Sequence, residues 1–230
     1  TTGANNTAVG RVALFASTTA DNNTAIGYNC MIANTTGSSN TACGYDALDA
    51  NTTGGSNVSM GRDALGANTT ASFNTGLGRS ALAVNTTGQY NTAVGTYALD
   101  ANQTSSNLTA IGYNSLTNNT AGNSTAVGYK SLEANTTGAD NIAVGTGALT
   151  ANTTASNNVA VGKDAMNDTT TGANNTAVGY KSLETNTTGY ENTAIGANAM
   201  NDTDAGSTSL GSTDNIFMGY DAGGGTWTDV

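Results

Sequence analysis

The chain has no proline and no histidine, six lysines and arginines in total, two cysteines and 6% aromatic residues in 230. Each shortage excludes something. Six scattered cations cannot form the basic stripe that nucleic acid requires, and a net charge of −10 repels phosphates. No apolar run approaches the length of a membrane span, and no signal peptide is recognisable. The absence of histidine, of phosphate-cradling loops and of metal-ligand spacing points away from catalysis and from any cofactor. Only 10% of residues are charged, a composition that often accompanies disorder. Disordered chains, however, do not keep apolar residues in fixed columns, as this one does.

What is present is a repeat. The stretch Asn91-Thr92-Ala93-Val94-Gly95 recurs with small edits about a dozen times, its glycine falling at Gly10, Gly27, Gly44 and onward to Gly196. The interval is 17 residues, except for 16 between Gly112 and Gly128. Such a period marks a solenoid in which each repeat is one coil stacked on the last. Asn-Thr-Thr-Gly in every repeat breaks helices, and 17 residues cannot hold two helices with their turns. The expectation is an all-β, parallel β-solenoid, a β-roll of about twelve coils over residues 1–200. Opening on Thr1-Thr2-Gly3, the middle of a repeat, the chain reads as a piece of something longer.

Counted from its glycine as position 1, each coil reads G-Y-x-A-L-x-A-N-T-T-G-x-x-N-T-A-V. Positions 5 (Leu82, Leu99, Leu149) and 17 (Val94 and equivalents) are large and apolar throughout, and both are expected to fill the core. Neighbours in an extended segment point to opposite faces. Position 16 is therefore expected outside, yet it stays small: Ala8, Ala25, Ala42, Ala93, Ala110, Ala126, Ala143, Ala160, Ala177 and Ala194. The expectation is a subunit contact lined by these alanines. Charges through Gly196 keep to positions 2, 3, 6, 7, 12 and 13, the solvent-facing bends. Positions 8 to 11 and the glycine supply turn geometry, and the asparagine at position 14 is expected to stack into an amide ladder. Cys30 and Cys43 occupy core-facing columns as small hydrophobes, with no disulfide set by their spacing. After Gly196 six residues are inserted before Asn215-Ile216-Phe217-Met218-Gly219, so residues 201–230, with Trp227, read as an irregular end cap or junction.

Asn-Thr-Ala-Val-Gly and Asn-Thr-Ala-Ile-Gly resemble the head repeat of trimeric autotransporter adhesins, and the longer form with its inserts (Gly179 to Gly189) is similar to phage tail-fibre repeats. The resemblance covers roughly residues 1–200. It implies three β-rolls packed side by side, hence a homo-oligomer with a trimer favoured. It also implies an extracellular location, on a cell-surface appendage or a virion, and a receptor or glycan as partner.

Three further chemistries deserve weighing. Asp46 and Asp63 share position 3 of adjacent coils, beside Arg62 and Arg79. Such a pair could serve a polysaccharide-cleaving spike or be a screened ion-pair cluster. Asn34, Asn51, Asn68, Asn85, Asn135, Asn152 and Asn186 sit in Asn-x-Thr/Ser acceptors for N-linked glycans, although turn chemistry already accounts for them. Regular threonine columns raise ice binding, which wants two columns on one flat face separated by one inward residue. Thr86 and Thr87 are adjacent, and the position-15 column is interrupted by Val58, Ile142 and Val159.

Overall fold

The computed structural model describes residues 2–201 and 213–223. The chain forms a parallel β-solenoid of about 11 turns, ~17 residues per turn. It divides into two compact units, Thr1–Asn114 and Ser115–Val230. The first contains β1 (Thr7–Val9), β2 (Thr24–Ile26), β3 (Thr41–Cys43), β4 (Val58–Met60), β5 (Thr75–Leu77), β6 (Thr92–Val94) and β7 (Thr109–Ile111). The second contains β8 (Thr125–Val127), β9 (Ile142–Val144), β10 (Val159–Val161), β11 (Thr176–Val178), β12 (Thr193–Ile195) and β13 (Ile216–Met218).

Within each unit successive strands pair in parallel and like residues stand beside like, as in Ala25 opposite Ala42 and Ala160 opposite Ala177. The identical period dictates this register, because any slip would set an inward residue against an outward one. Backbone bonds link the coils in both directions. Thr92 N–H donates to the Leu108 carbonyl of the next coil at 2.8 Å, and Gly95 N–H to the Leu77 carbonyl of the preceding one at 2.7 Å.

The glycine at position 1 is required twice over. Gly95 has φ 133°, and a Cβ placed on it would lie 2.4 Å from the Gly112 carbonyl oxygen. Coils could not stack at this spacing with any side chain there. After the glycine the chain turns through left-handed residues at positions 3 and 5, such as Tyr97 (φ 60°) and Leu99 (φ 54°). This breaks the alternation of a strand, so Ala98 and Leu99, although neighbours, are both fully buried.

The core differs from the expectation in one decisive respect. Leu82, Leu99 and Leu149 are buried as expected. Position 16, however, is inside and position 17 outside: Ala93 has no exposure, whereas Val94 is half-buried on the outer wall. The same holds for Ala25, Ala42, Ala110, Ala126, Ala143, Ala160, Ala177 and Ala194, all fully buried inside their own coils, so these alanines cannot line a subunit contact. Ala8, on the first strand, is exposed. The reason lies across the coil, where position 16 rests on the leucine of position 5. A Cβ built on Gly76, a position-16 residue, would lie 3.3 Å from Leu65 Cγ. The column is small because the lumen has room for one large side chain per coil.

The last described strand departs from this pattern. Phe217 occupies position 16 of the coil that opens at Gly196, and position 5 of the following coil is Gly223, where an added Cβ would meet the Phe217 ring at 2.8 Å. Within the expected terminal segment 201–230, β13 pairs in parallel with β12. Residues 202–212 and 224–230, including Trp227, lie outside the described residues.

Two asparagine columns complete the interior. At position 14, Asn40 Oδ1 accepts the Asn57 N–H at 2.9 Å and Asn40 Nδ2 donates to the Gly54 carbonyl at 2.9 Å. At position 8, Asn51 Nδ2 donates to its own bend at Gly54 O and to Asn34 Oδ1 of the preceding coil. The 16-residue coil loses its residue from this bend. Asn119 Nδ2 there bonds the Ala121 carbonyl, two residues on instead of three.

Candidate functional site

Inverting the strand leaves a distinctive outer face. Positions 15 and 17 flank the inward alanine and both point out, so each three-residue strand presents a threonine or β-branched residue and a larger apolar one. In the first unit the apolar column runs Val9, Ile26, Cys43, Met60, Leu77, Val94 and Ile111. In the second it runs Val127, Val144, Val161, Val178, Ile195 and Met218. No charge enters either column. Water reaches Val9, Ile26, Met60, Ile111, Val144, Val178, Ile195 and Met218 to an extent unusual for apolar residues.

Position 2 forms the rim of this face and is rich in Tyr and Arg. Tyr28 and Tyr45 stack with centroids 5.2 Å apart, and the guanidinium of Arg11 covers Tyr28 while that of Arg62 covers Tyr45. Arg79 lies over Tyr97 in the same way. On the opposite bends, position-9 threonines spend their hydroxyls on the next coil, as Thr35 Oγ1 donates to the Thr52 carbonyl at 3.0 Å. Thr86 does likewise to Gln103, and its neighbour Thr87 is exposed.

The remaining sequence candidates fall as follows. Asp63 pairs with its neighbour Arg62 at 3.1 Å on open surface. Asp46 has Oδ1 shielded from water without a hydrogen-bond partner. Burial raises the Asp49 carboxyl, and the nearby Asp46 and Asp63 push it the same way. A cavity at the first coil is lined by Gly3, Asn6, Leu14, Phe15 and Ser17, and neither Asp46 nor Asp63 lines it. Among the described residues no group of three or more Asp, Glu or Cys is placed to hold a metal ion, and no helix is long and apolar enough to cross a membrane.

The glycan-acceptor asparagines Asn34, Asn51, Asn68, Asn85, Asn135, Asn152 and Asn186 are all fully buried in the position-8 ladder. The folded coil hides them from any modifying enzyme, because their amide hydrogens are committed to carbonyls inside. Of the cysteines, Cys30 is buried and Cys43, on the position-17 column, is exposed; both are free. The outward apolar column departs from the sequence expectation because a large apolar side chain does not by itself mark the inner face. The signal for it is the uniform smallness of position 16, which a column packed against the position-5 leucine requires.

No family model, no curated protein and no solved structure matches the chain.

Proposed function

We propose that the chain is a structural segment of an extracellular fibre or appendage, on a virion or a cell surface. It spaces, displays or attaches, in the manner of tail-fibre and adhesin-head repeats, and catalyses nothing. Copies associate side by side through the outer strand face, in threes if the resemblance to trimeric heads extends to this chain. The supporting observation is the uncharged apolar column at position 17, repeated on every coil although the coil interior is already filled by position 5. Fully burying one such side chain contributes about 1.5–3 kcal/mol, so even partial cover repeated coil by coil accumulates. The tyrosines and arginines of the rim are residue types enriched where proteins meet.

Sedimentation velocity tests this reading. The native chain is expected to sediment as an oligomer, and Val94→Glu with Ile111→Glu to sediment as a folded monomer with an unchanged circular dichroism spectrum. A monomeric native chain overturns the self-association. Release of oligosaccharide from cell-surface polysaccharide, lost in Asp63→Asn, would replace the structural role with a cleaving one.

One observation favours a second reading. The position-15 threonines Thr24, Thr41, Thr75, Thr92 and Thr109 stand in register one inward residue from the apolar column, and among the described residues nothing bonds their hydroxyls. They supply one of the two threonine columns that an ice-binding face wants, interrupted at Val58. A monomeric chain that holds ice growth below the melting point, and loses this in Thr92→Tyr, would select it.

A further inference from the structure

Position 13 of the first unit holds Asn5, Asn22, Ser39, Ser56, Phe73, Tyr90 and Asn107, all in left-handed backbone with φ between 57° and 62°. Asparagine and serine tolerate that conformation, whereas a bulky side chain there is an outlier. Phe73 and Tyr90 therefore stand where the backbone disfavours them. Burial does not compensate, since they are 52% and 57% exposed. Their rings stack with centroids 5.1 Å apart and planes 2° from parallel. Beyond the stack the column continues with the short side chains of Ser56 and Asn107, and about half of each ring residue stays open to solvent. Tyr28 and Tyr45 differ in this respect, because arginines cap both ends of their stack.

The surroundings are uncharged and rich in hydroxyl and amide groups. Position 12 beside the rings reads Gly55, Ser72, Gln89 and Ser106, with Ser72 Oγ accepting the Gly55 N–H at 3.0 Å and Ser106 Oγ the Gln89 N–H at 2.9 Å. Among the described residues nothing bonds the Tyr90 hydroxyl. Two aromatic side chains present at most roughly 150–250 Å² each, far below the ~800 Å² per partner of a protein interface, so the occupant is small. With no cation in these two columns to meet a phosphate or carboxylate, it is not an anion.

We propose that the Phe73–Tyr90 stack is a glycan contact. The apolar face of a neutral hexopyranose lies on an open ring face, and its hydroxyls bond the Gln89 amide and the Tyr90 hydroxyl. This rests on the attachment role proposed above and gives it a ligand class and a place on the coil.

The test probes the full chain on an array of immobilised neutral and sialylated oligosaccharides, with methyl glucoside, galactoside and mannoside as free competitors. The variant is Phe73→Asn with Tyr90→Asn, since asparagine is the column's own residue and suits its backbone. The native chain is expected to be retained by neutral glycans and displaced by one of the competitors. The variant is expected to bind at least about tenfold more weakly with its Tm unchanged or raised. Equal retention of the variant, or no retention of the native chain by any neutral glycan, overturns the proposal. A fall in Tm without glycan binding would make the stack a surface clasp instead. Sedimentation on the same samples separates the two readings. An oligomer that binds no sugar leaves the fibre role standing, and a monomer that binds one leaves the contact standing alone.

Discussion

At the scale of single residues the glycines divide sharply by what surrounds them. Gly95→Ala forces a Cβ against a carbonyl 2.4 Å away and a φ of 133° on a residue that cannot adopt it. The expected loss is about 3 kcal/mol or more, read as a lower urea midpoint. Gly66 is the contrast, because a Cβ there meets nothing nearer than 3.4 Å and its φ is not left-handed. Gly66→Ala is expected to be neutral or to stabilise by up to about 1 kcal/mol, through the unfolded chain's lost freedom. The cysteines divide in the same way. Burial pushes the Cys30 thiol up to about 11, while Cys43 is open to solvent. Iodoacetamide followed by mass spectrometry should find one alkylated cysteine, Cys43, in the native chain and two after denaturation. Because the Cys30 pKa is raised on folding, its contribution is complete below the ordinary thiol value of 9.0 and is lost as pH climbs towards 11.

At the scale of the coil, stability is shared between one large apolar side chain and two amide ladders. The ladders matter because their atoms are sealed from water, where an unmet donor or acceptor costs about 1–3 kcal/mol. Asn85 Nδ2 donates to Gly88 O at 3.0 Å and its Oδ1 accepts from Asn102 at 3.0 Å. Asn85→Ala removes these bonds and a third, from Asn85 Nδ2 to Asn68 Oδ1 at 3.2 Å, and leaves Asn68 Oδ1 and the Asn102 amide short of a partner. We expect a loss of about 2–4 kcal/mol in chemical denaturation, exceeding that of Thr87→Ala on the exposed bend by at least about 2 kcal/mol. If the two variants unfold at the same midpoint, the position-8 ladder is not the structural column described above.

For the whole molecule the dominant quantity is its charge, 16 acidic residues against 6 basic ones. Among the described residues the ion pairs Arg62–Asp63, Lys130–Glu133, Lys163–Asp164 and Lys181–Glu184 are partly or largely exposed and contribute little. Burial raises the carboxyls of Asp49 and Asp100. A raised carboxyl favours the folded chain while protonated, so its contribution is full below the ordinary value near 3.8 and is lost as pH rises through the displaced one. Lys181, held above its usual value by Glu184, stays charged across this range. Relief of the −10 self-repulsion acts in the same direction. The Tm is therefore expected to rise as pH falls from 7 towards about 4. Differential scanning calorimetry at low salt checks this, and a Tm that falls over the same range would contradict it.

The sequence by itself determined what a period can determine. Identical columns must stack, so the parallel register, the glycine column, the buried Leu82, Leu99 and Leu149, the position-14 ladder and the outward charges were all legible. What it left open was the phase of the strand. Alternation says that Ala93 and Val94 face opposite ways and does not say which faces in. That depends on how much of the lumen the rest of the coil has already filled. Left-handed turns at positions 3 and 5, invisible in residue types such as Tyr97 and Leu99, swing Ala98 and Leu99 inward together. The position-8 asparagines fold in over the bend and take more of the remaining space. A lumen so occupied admits alanine at position 16 and turns valine out. The outer apolar face, and with it the proposed contact surface, is thus a product of packing across the coil, which no column viewed alone contains.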